Sequence, residues 1–286
     1  MTIGFIGGSG IYEALPLRET RDVDVETPFG EPSAPLTVGE FGDTGREVAF
    51  VPRHGPDHSY SPTTLPYRAN IFALKQLGVT HIIASNAVGS LREDLPPQTL
   101  VIPDQIYDRT KHRELTFFDE DVVVHQPFAD PYCSELAEIL ADAAESATDA
   151  DVAREGTYVC IEGPQFSTRA ESEFYRAQGW DVIGMTTIPE AKLAREAEIA
   201  YATVAGVTDY DVWKEDSQVT LEEVLENAEK NEVAIKETVE AAIRAIPDDH
   251  DCDCHDALSG TINTPDAAIP ESTKADLAPL LGDYLG

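Results

Sequence analysis

The sequence predicts an α/β fold in which a mixed or parallel β-sheet lies under helices. Two observations predict it. Apolar runs of strand length alternate along the chain with stretches of helical periodicity. At least four of these runs end in residues suited to a small ligand, and open α/β sheets bind ligands at that edge. The length of 286 residues and the hydrophobic content of 42% are enough for one large domain or two small ones.

The chain is strongly acidic, with 53 acidic residues, 20 basic residues and a formal net charge of -33. This charge excludes a general surface for nucleic acid or anionic membranes, because both require positive charge. It is typical of a protein kept soluble in concentrated salt, where screening weakens self-repulsion. No apolar run approaches the roughly 20 residues of a membrane span. No charged-then-apolar leader precedes the first strand, and we therefore expect a cytoplasmic protein.

The first predicted strand, residues 3–6, is followed by the glycines Gly7, Gly8 and Gly10. Glycine lets the backbone approach an anion and direct N–H groups at it, and Ser9 adds a hydroxyl. A phosphate is therefore the natural ligand. The alternative is a dinucleotide-binding turn, which is disfavoured because the GxGxxG spacing and a βαβ unit with an acidic residue about 20 positions later are absent.

A second anion site is predicted where the strand at residues 48–51 is followed by Arg53 and His54. Arginine binds phosphate oxygens through a planar fork, although a surface salt bridge would explain Arg53 equally well. A helix follows, with Pro66 near its first turn and Gly78 as its stop.

The next predicted strand ends in small residues that admit close contacts with a ligand. Among them, Asn86 and the N–H of Ala87 could complete the phosphate cradle, although asparagine at a strand end is more often a turn former. Later in the chain, Met185 and Thr186 follow a strand at residues 182–184. Thr186 could hold an anion and Met185 the face of a sugar, whereas core filling is the commoner role of a single methionine.

Residues 100–108 are predicted to form one strand, and the polar stretch at 109–133 a long loop. Loops of this length in compact domains are usually functional or cover a neighbour. His125 is a candidate functional residue in this loop. The loop also has aromatic residues for which we expect packing against another subunit: Phe117, Phe118, Phe128 and Tyr132.

The strand at residues 199–207 places Asp209 and Asp211 just past its carboxyl end. Two acidic residues with this spacing in an extended segment project to one side. The pair predicts a site for a group that donates two adjacent hydrogen bonds, such as the amine and protonated N7 edge of adenine. A solvated acidic turn is the alternative.

The last long helix is predicted at residues 220–246. Thr220 and Glu223 match a capping box at its start, and its apolar stripe is expected to pack on the sheet. Because its first turn follows the acidic pair closely, Leu221 could line the pocket.

Residues 247–286 are predicted to form an acidic C-terminal extension that is flexible or contacts another subunit, with a short helix at 273–281. It contains Cys252 and Cys254 with histidines nearby, which could hold a metal or form a strained disulfide. A CxC without a second pair is a weak metal signal. The remaining cysteines are expected to be buried small hydrophobes: Cys133 and Cys160.

In this order and spacing, these motifs resemble the methylthioadenosine phosphorylase family of the trimeric purine nucleoside phosphorylase superfamily. The resemblance covers residues 3–246 and is carried by GFIGGSGIY, TPFG, PRHG, LPYRANIFALKQLGVTHIIASNAVGSLRE, EGPQFSTRAES, MTTIPEAKLARE and TDYDVWKE. It implies a single α/β domain over residues 1–246 with a twisted mixed sheet, assembled as a trimer or a dimer of trimers. The implied reaction is reversible attack of phosphate on C1′ of 5′-methylthioadenosine, a salvage reaction that needs no cofactor or metal.

The resemblance also implies roles for individual residues. Met185 would lie under the ribose, Asp209 would bridge N7 of the leaving adenine as the catalytic acid, and Asp211 would accept a hydrogen bond from the 6-amino group. The resemblance assigns phosphate binding to Ser9, Arg53, His54, Asn86, Ala87 and Thr186.

The resemblance also bears on substrate selectivity. Ser167 and Leu221 match positions that shape selectivity, and His125 matches a residue lent by the neighbouring subunit to the thiomethyl pocket. Asn86 departs from the threonine of many members and resembles the 6-oxopurine and methylthioinosine enzymes. A carboxylate at Asp211 facing a 6-oxo group would pair an acceptor with an acceptor, so 6-aminopurines are favoured.

Two alternatives remain open at the level of sequence. The first is phosphorolysis of methylthioinosine or of general purine nucleosides. The second is a non-catalytic nucleoside-binding or assembly protein, which the predicted anion site disfavours because a binder has no need of a second, phosphate-sized site.

Overall fold

A long central strand organises the sheet of this protein. The computed structural model describes residues 1–8, 15–214, 220–250 and 252–285. The described strands are β1 (Thr2–Gly7), β2 (Leu17–Val23), β3 (Leu36–Phe41), β4 (Arg46–Pro52), β5 (Val79–Ser90), β6 (Leu100–Val101), β7 (Gln105–Arg109), β8 (Val152–Ala153), β9 (Thr157–Ile161), β10 (Val182–Gly184) and β11 (Ala200–Asp209). The described helices are α1 (Tyr67–Gln76), α2 (Ser134–Ala147), α3 (Arg169–Ala177), α4 (Thr187–Glu196), α5 (Leu221–Ala245), α6 (Glu271–Asp276) and α7 (Ala278–Leu281).

The described strands join into one sheet with the order β2-β3-β4-β1-β5-β10-β9-β7, and β11, β6 and β8 branch from β5. β1 and β11 run parallel to β5, whereas β10 runs antiparallel to it. The mixed α/β sheet predicted from the sequence is therefore confirmed. β5 pairs with three other strands, β1, β10 and β11, and is therefore the central strand of the sheet.

Alternating residues of the strands pack into two separate cores, because successive side chains in a strand point to opposite faces of the sheet. In β5, Ile82 belongs to a core that includes α1 and α4, and Ile83 belongs to a core that includes α2 and α5. Helices thus cover both faces of the sheet. The two β5 residues are fully buried, which explains why this strand is apolar on both sides.

The last long helix, α5, begins where the sequence predicts it. The Thr220 side chain accepts a hydrogen bond from the Glu223 N–H at 3.2 Å, which is one half of the predicted capping box. A complete capping box occurs instead at α3, between Thr168 and Glu171. Although α5 has 25 residues, none of the described helices is long and apolar enough to cross a membrane.

Two local predictions for the middle of the chain are wrong. Residues 100–108 form β6 and β7 rather than one strand, and Pro103 lies in the break, where its missing N–H cannot serve a ladder. Phe117, Phe118 and Tyr132 are buried within their own chain rather than held for another subunit. The Phe117 ring packs 5.1 Å from that of Phe29, so the long loop contributes to the core.

The residues after α5 fold back on the domain of the same chain. The helix expected at 273–281 is present as α6 and α7, with a break at Leu277. Leu277, Leu280 and Leu281 are buried in the core that contains α1. The described part of the C-terminal segment is thus packed rather than extended, while a contact with another subunit stays a prediction.

Candidate active site

A cavity of about 250 Å³ opens where β5 changes its partner. On one side, β5 pairs with β1 as far as Ala84 and with β10 from Gly89 onward. Residues 85–88 lie between these two pairings, so the sheet leaves a gap beside them. The sequence predicted that the strand ends near Asn86, but β5 continues to Ser90 and the gap replaces the predicted strand end.

The cavity brings together all but three of the site residues predicted from the sequence. Its wall includes Arg53, His54, Asn86, Ala87, Met185, Thr186, Asp209, Asp211 and Leu221. Convergence of these residues from separate strand ends and from the start of α5 supports the ligand site that each weak signal predicted alone.

Arg53 is the deepest charge of the site. Its guanidinium forms a bidentate ion pair with Glu190 of α4, and Nη1 donates to the Ser85 carbonyl at 2.8 Å. Burial favours the neutral form, but the Glu190 carboxylate outweighs it and raises the pKa of Arg53 above its ordinary value. The predicted alternative of a surface salt bridge is wrong, because both side chains are almost completely buried.

Three of the five guanidinium N–H groups are used in these contacts within the described residues. Two are left for a ligand at the cavity wall. The close approach of Gly8 adds a constraint there: a Cβ at Gly8 would lie 2.5 Å from the Ser85 oxygen and 2.9 Å from Arg53 Nη1. Only glycine therefore fits between these two neighbours. The Gly8 N–H also donates to Ser85 Oγ at 3.0 Å.

His54 is held in one protonation state by its surroundings. Burial lowers its pKa to about 4, so the ring is neutral near pH 7. Nδ1 lies 2.9 Å from the Tyr60 carbonyl oxygen, which can only accept, so Nδ1 carries the hydrogen. Nε2 is then a hydrogen-bond acceptor. The ring also stacks on His58 at 4.3 Å, and both rings contribute to the cavity wall.

Asn86 joins two threonine hydroxyls. Its Nδ2 donates to Thr186 Oγ1 at 2.7 Å, and its Oδ1 faces the Thr203 hydroxyl, which also lies 2.9 Å from the Ala84 carbonyl oxygen. While Thr186 accepts from Asn86, its own hydroxyl hydrogen can turn to a ligand or to Tyr158. The two predicted anion-binding side chains therefore form one hydrogen-bonded unit.

Asp209 and Asp211 meet across a turn. Asp209 ends β11, whereas Asp211 starts a 3-10 helix with a φ of 52°. The prediction that both lie in one extended segment is wrong, but the pairing is present: the Asp211 N–H donates to Asp209 Oδ1 at 2.7 Å. Thr208 donates to Asp209 Oδ2 at 2.7 Å, and Ser172 donates to Asp211 Oδ2.

Burial changes the acidity of both carboxyl groups. They are 4% and 3% exposed, respectively, so the predicted alternative of a solvated acidic turn is wrong. Burial raises the pKa of Asp209, with hydrogen bonds from Thr208 and Asp211 opposing the shift. Burial also raises the pKa of Asp211 to about 6, against the hydrogen bond from Ser172. Acids with such shifts in a cavity are candidates for proton transfer.

The rest of the cavity wall is mostly apolar. Phe166, Met185, Leu221 and Leu225 all contribute to it. Leu221 is 67% exposed in this single chain, at the start of α5 where the sequence placed it. An apolar wall beside polar groups that orient a ligand is the usual composition of a small-molecule site.

Three predicted residues lie outside this cavity or outside the residues that the structure describes. Ser167 lines a neighbouring cavity of about 270 Å³ that shares Phe166 and Ile161 with the main one. His125 is exposed, and its N–H donates to the Thr261 carbonyl at 3.0 Å. Ser9 lies within residues 9–14, which are outside the described residues.

Several residues that position the site were not among the predicted ones. Glu190 lies in the first turn of α4, and Ser172 is a buried residue of α3. Arg113, in the long loop, donates to the Met185 and Glu162 carbonyls at 2.6 Å. A basic residue in an acidic chain is a weak signal for Arg113, and no sequence pattern identifies the other two.

The family model of the phosphorylase superfamily matches residues 2–244. The chain belongs to the phosphorylase superfamily. Within this superfamily, the chain is 50% identical over 285 residues to the S-methyl-5'-thioadenosine phosphorylase of Koribacter versatilis, covering 99% of this chain and 97% of that relative.

Solved members of the superfamily agree with this assignment. A methylthioadenosine phosphorylase from an antarctic soil metagenomic library is 48% identical, with a TM-score of 0.92 and 98% of each chain covered. The methylthioadenosine phosphorylase of Schistosoma mansoni, in complex with adenine, is 37% identical, with a TM-score of 0.81 and coverage of 99% of this chain and 98% of that one. The resemblance stated from the sequence is confirmed.

The Arg53–Glu190 pair predicts a large loss of stability when Glu190 is replaced. In Glu190→Gln the Arg53 charge stays buried without its carboxylate, which should lower the free energy of unfolding by about 3–5 kcal/mol. The matched control is Glu145→Gln, which removes one of the two acidic partners of the exposed Arg154 and should change the free energy of unfolding by less than about 1 kcal/mol. Urea denaturation of both variants measures the difference, and equal effects would show that the buried pair stabilises the fold no more than an exposed one.

Proposed function

We propose that this protein catalyses the reversible phosphorolysis of 5′-methylthioadenosine to adenine and 5-methylthioribose 1-phosphate, a step of purine and methionine salvage. The observation that carries the proposal is the meeting of an anion-binding wall and a buried carboxyl pair in one cavity. The names of the similar proteins support the same reaction.

The charges of the site suit the reaction. Cleavage of the C–N bond builds positive charge on the ribose and negative charge on the base. A bound phosphate stabilises the positive charge, and a proton supplied at N7 relieves the negative charge. Asp209 suits the second role, because burial raises its pKa and keeps a proton available nearer neutrality.

Phosphate is proposed to bind between Arg53, His54, Asn86, Ala87, Thr186 and Ser9. Arg53 and Thr186 offer donors to its oxygens. His54 offers an acceptor at Nε2, which suits the P–OH group of monohydrogen phosphate. The pairing of Arg53 with Glu190 limits the net positive charge of the wall, so these oriented hydrogen bonds must supply much of the binding.

The nucleoside is proposed to lie between the carboxyl pair and the apolar wall. Met185 would pack under the ribose, and Asp211 would accept from the 6-amino group. Leu221 and Leu225 would contact the 5′-thiomethyl group, whose apolar character matches theirs. Ser167, in the adjoining cavity, would influence selectivity through its neighbour Phe166.

Assembly and location are part of the same proposal. We infer a homotrimer or a dimer of trimers, in which the exposed His125 reaches the thiomethyl pocket of the adjoining subunit. The reaction uses phosphate as a co-substrate and no cofactor. The acidic surface and the small-molecule substrate suit a cytoplasmic enzyme of a salt-rich cell.

Adenine release from methylthioadenosine, measured with and without phosphate, tests the proposal. We expect release only with phosphate, and faster with methylthioadenosine than with adenosine or methylthioinosine. Preference for methylthioinosine would instead favour the activity of the 6-oxopurine enzymes, which Asn86 resembles in residue type at this position. Nucleoside binding without base release would show a non-catalytic binding protein.

The catalytic role of Asp209 predicts a specific loss. Asp209→Asn should lower kcat by about 100-fold, because an amide cannot transfer a proton to N7. In the wild type the rate should fall as pH rises through the raised pKa of Asp209. In the variant this fall of the rate with pH should be absent. The control is Asp149→Asn in an exposed turn. Retained activity with an unchanged pH profile would exclude this role.

The shifted acidity of Asp211 predicts a pH-dependent substrate preference. Above a pKa of about 6 the Asp211 carboxylate accepts from a 6-amino group, whereas below it the protonated acid can donate to a 6-oxo group. The kcat/KM ratio of methylthioadenosine to methylthioinosine should therefore fall about tenfold between about pH 8 and about pH 5. The ratio should not vary with pH in Asp211→Asn. A constant ratio in the wild type would contradict this assignment.

A further inference from the structure

Three cysteine sulfurs meet outside the active-site cavity. Cys133 precedes α2, and Cys252 and Cys254 lie at the start of the C-terminal segment. Their Sγ atoms all lie within 4.8 Å of one another, and the Cys133 and Cys252 sulfurs are 3.7 Å apart. All three are free thiols. Residues more than a hundred positions apart thus present three soft ligand atoms at one point.

The spacing of the sulfurs matches a shared metal ion. A metal with sulfur bonds of about 2.3 Å places its thiolates about 3.8 Å apart in a tetrahedral site and about 4.0 Å apart in a planar trigonal one. A disulfide requires about 2.05 Å between two sulfurs and gives the third no role. The distance of 3.7 Å between Cys133 and Cys252 is close to the first value.

The surroundings of the cluster also suit a metal. Cys133 and Cys254 are buried and Cys252 is half-buried, so an ion would be shielded but reachable. Binding of an ion would displace the thiol protons, because thiolates and not thiols are the ligands of such metals.

We propose that Cys133, Cys252 and Cys254 form a three-thiolate site for a thiophilic d10 metal ion, and that this ion fastens the C-terminal segment to the start of α2. Thiolates select Cu⁺ and Zn²⁺ among biological metals. Three sulfurs complete the coordination of Cu⁺, whereas Zn²⁺ would take a water molecule as its fourth ligand. The site is structural, since none of the three residues lines the active-site cavity.

Metal binding by the reduced full-length protein tests the proposal. The desalted protein is incubated without oxygen with ZnCl₂, or with Cu⁺ supplied as its acetonitrile complex, and the retained metal is counted by mass spectrometry. We expect about one equivalent per chain, a sulfur-to-metal charge-transfer band in the ultraviolet, and a melting temperature raised by about 5 °C. Retention of only one of the two ions assigns the site to that metal.

Two variants make the test specific. Cys252→Ser should lose the retained ion, the absorption band and the rise in melting temperature. Because Cys252 is only half-buried, we expect this variant to fold. Cys160→Ser is the matched control, because Cys160 is buried away from the cluster and should keep all three signals. If Cys252 proves intolerant, Cys254→Ser serves the same purpose.

Several results would overturn the site. The first is no retained metal in the reduced wild type. The second is equal retention in the wild type and in Cys252→Ser, which would place the metal elsewhere. The third is a wild type that binds no metal but loses two thiols on mild oxidation, which would show that the cluster is a redox pair.

Discussion

The buried ion pair between Arg53 and Glu190 is the interaction on which the site depends. It joins the end of β4 to α4, and Glu190 also accepts a hydrogen bond from Tyr201 of β11 at 3.0 Å. Arg53 is tied to β5 through the Ser85 carbonyl. Since neither charge can remain buried without its partner, three strands and one helix must adopt this arrangement together. The donors of the cavity wall are fixed before any ligand arrives.

The gap in the pairing of β5 gives this arrangement its space. Two glycines at the rim of the gap let neighbouring groups pack closely: a Cβ at Gly89 would lie 2.9 Å from Asp209 Oδ1, and one at Gly184 would lie 1.9 Å from the Tyr158 hydroxyl. The ion pair therefore fixes the position of the Arg53 donors, and the change of partner along β5 supplies the volume of the site. Neither feature alone would make a binding site.

Much of the fold and site could be predicted because the signals were local. β5, β11 and α5 have clear periodicity, and the carboxylates of Asp209 and Asp211 follow a strand end. What failed depends on contacts distant in sequence. Nothing near Glu190 shows that it faces Arg53, and nothing near Phe117 shows that its own chain covers it. The turn that joins the two acids was missed because Asp211 adopts a left-handed backbone conformation that few residues other than glycine favour.

The packing of α7 on α1 affects how this protein is made. The leucines of α7 that join the core of α1 are synthesised about 200 residues after α1 itself. Phe72 of α1 is covered sooner, by Phe29 and Phe117, but the part of the α1 face that packs on α7 stays uncovered until those leucines are made. Uncovered apolar surface makes a nascent chain prone to aggregation, so slow synthesis between α1 and α7 would be harmful to this protein.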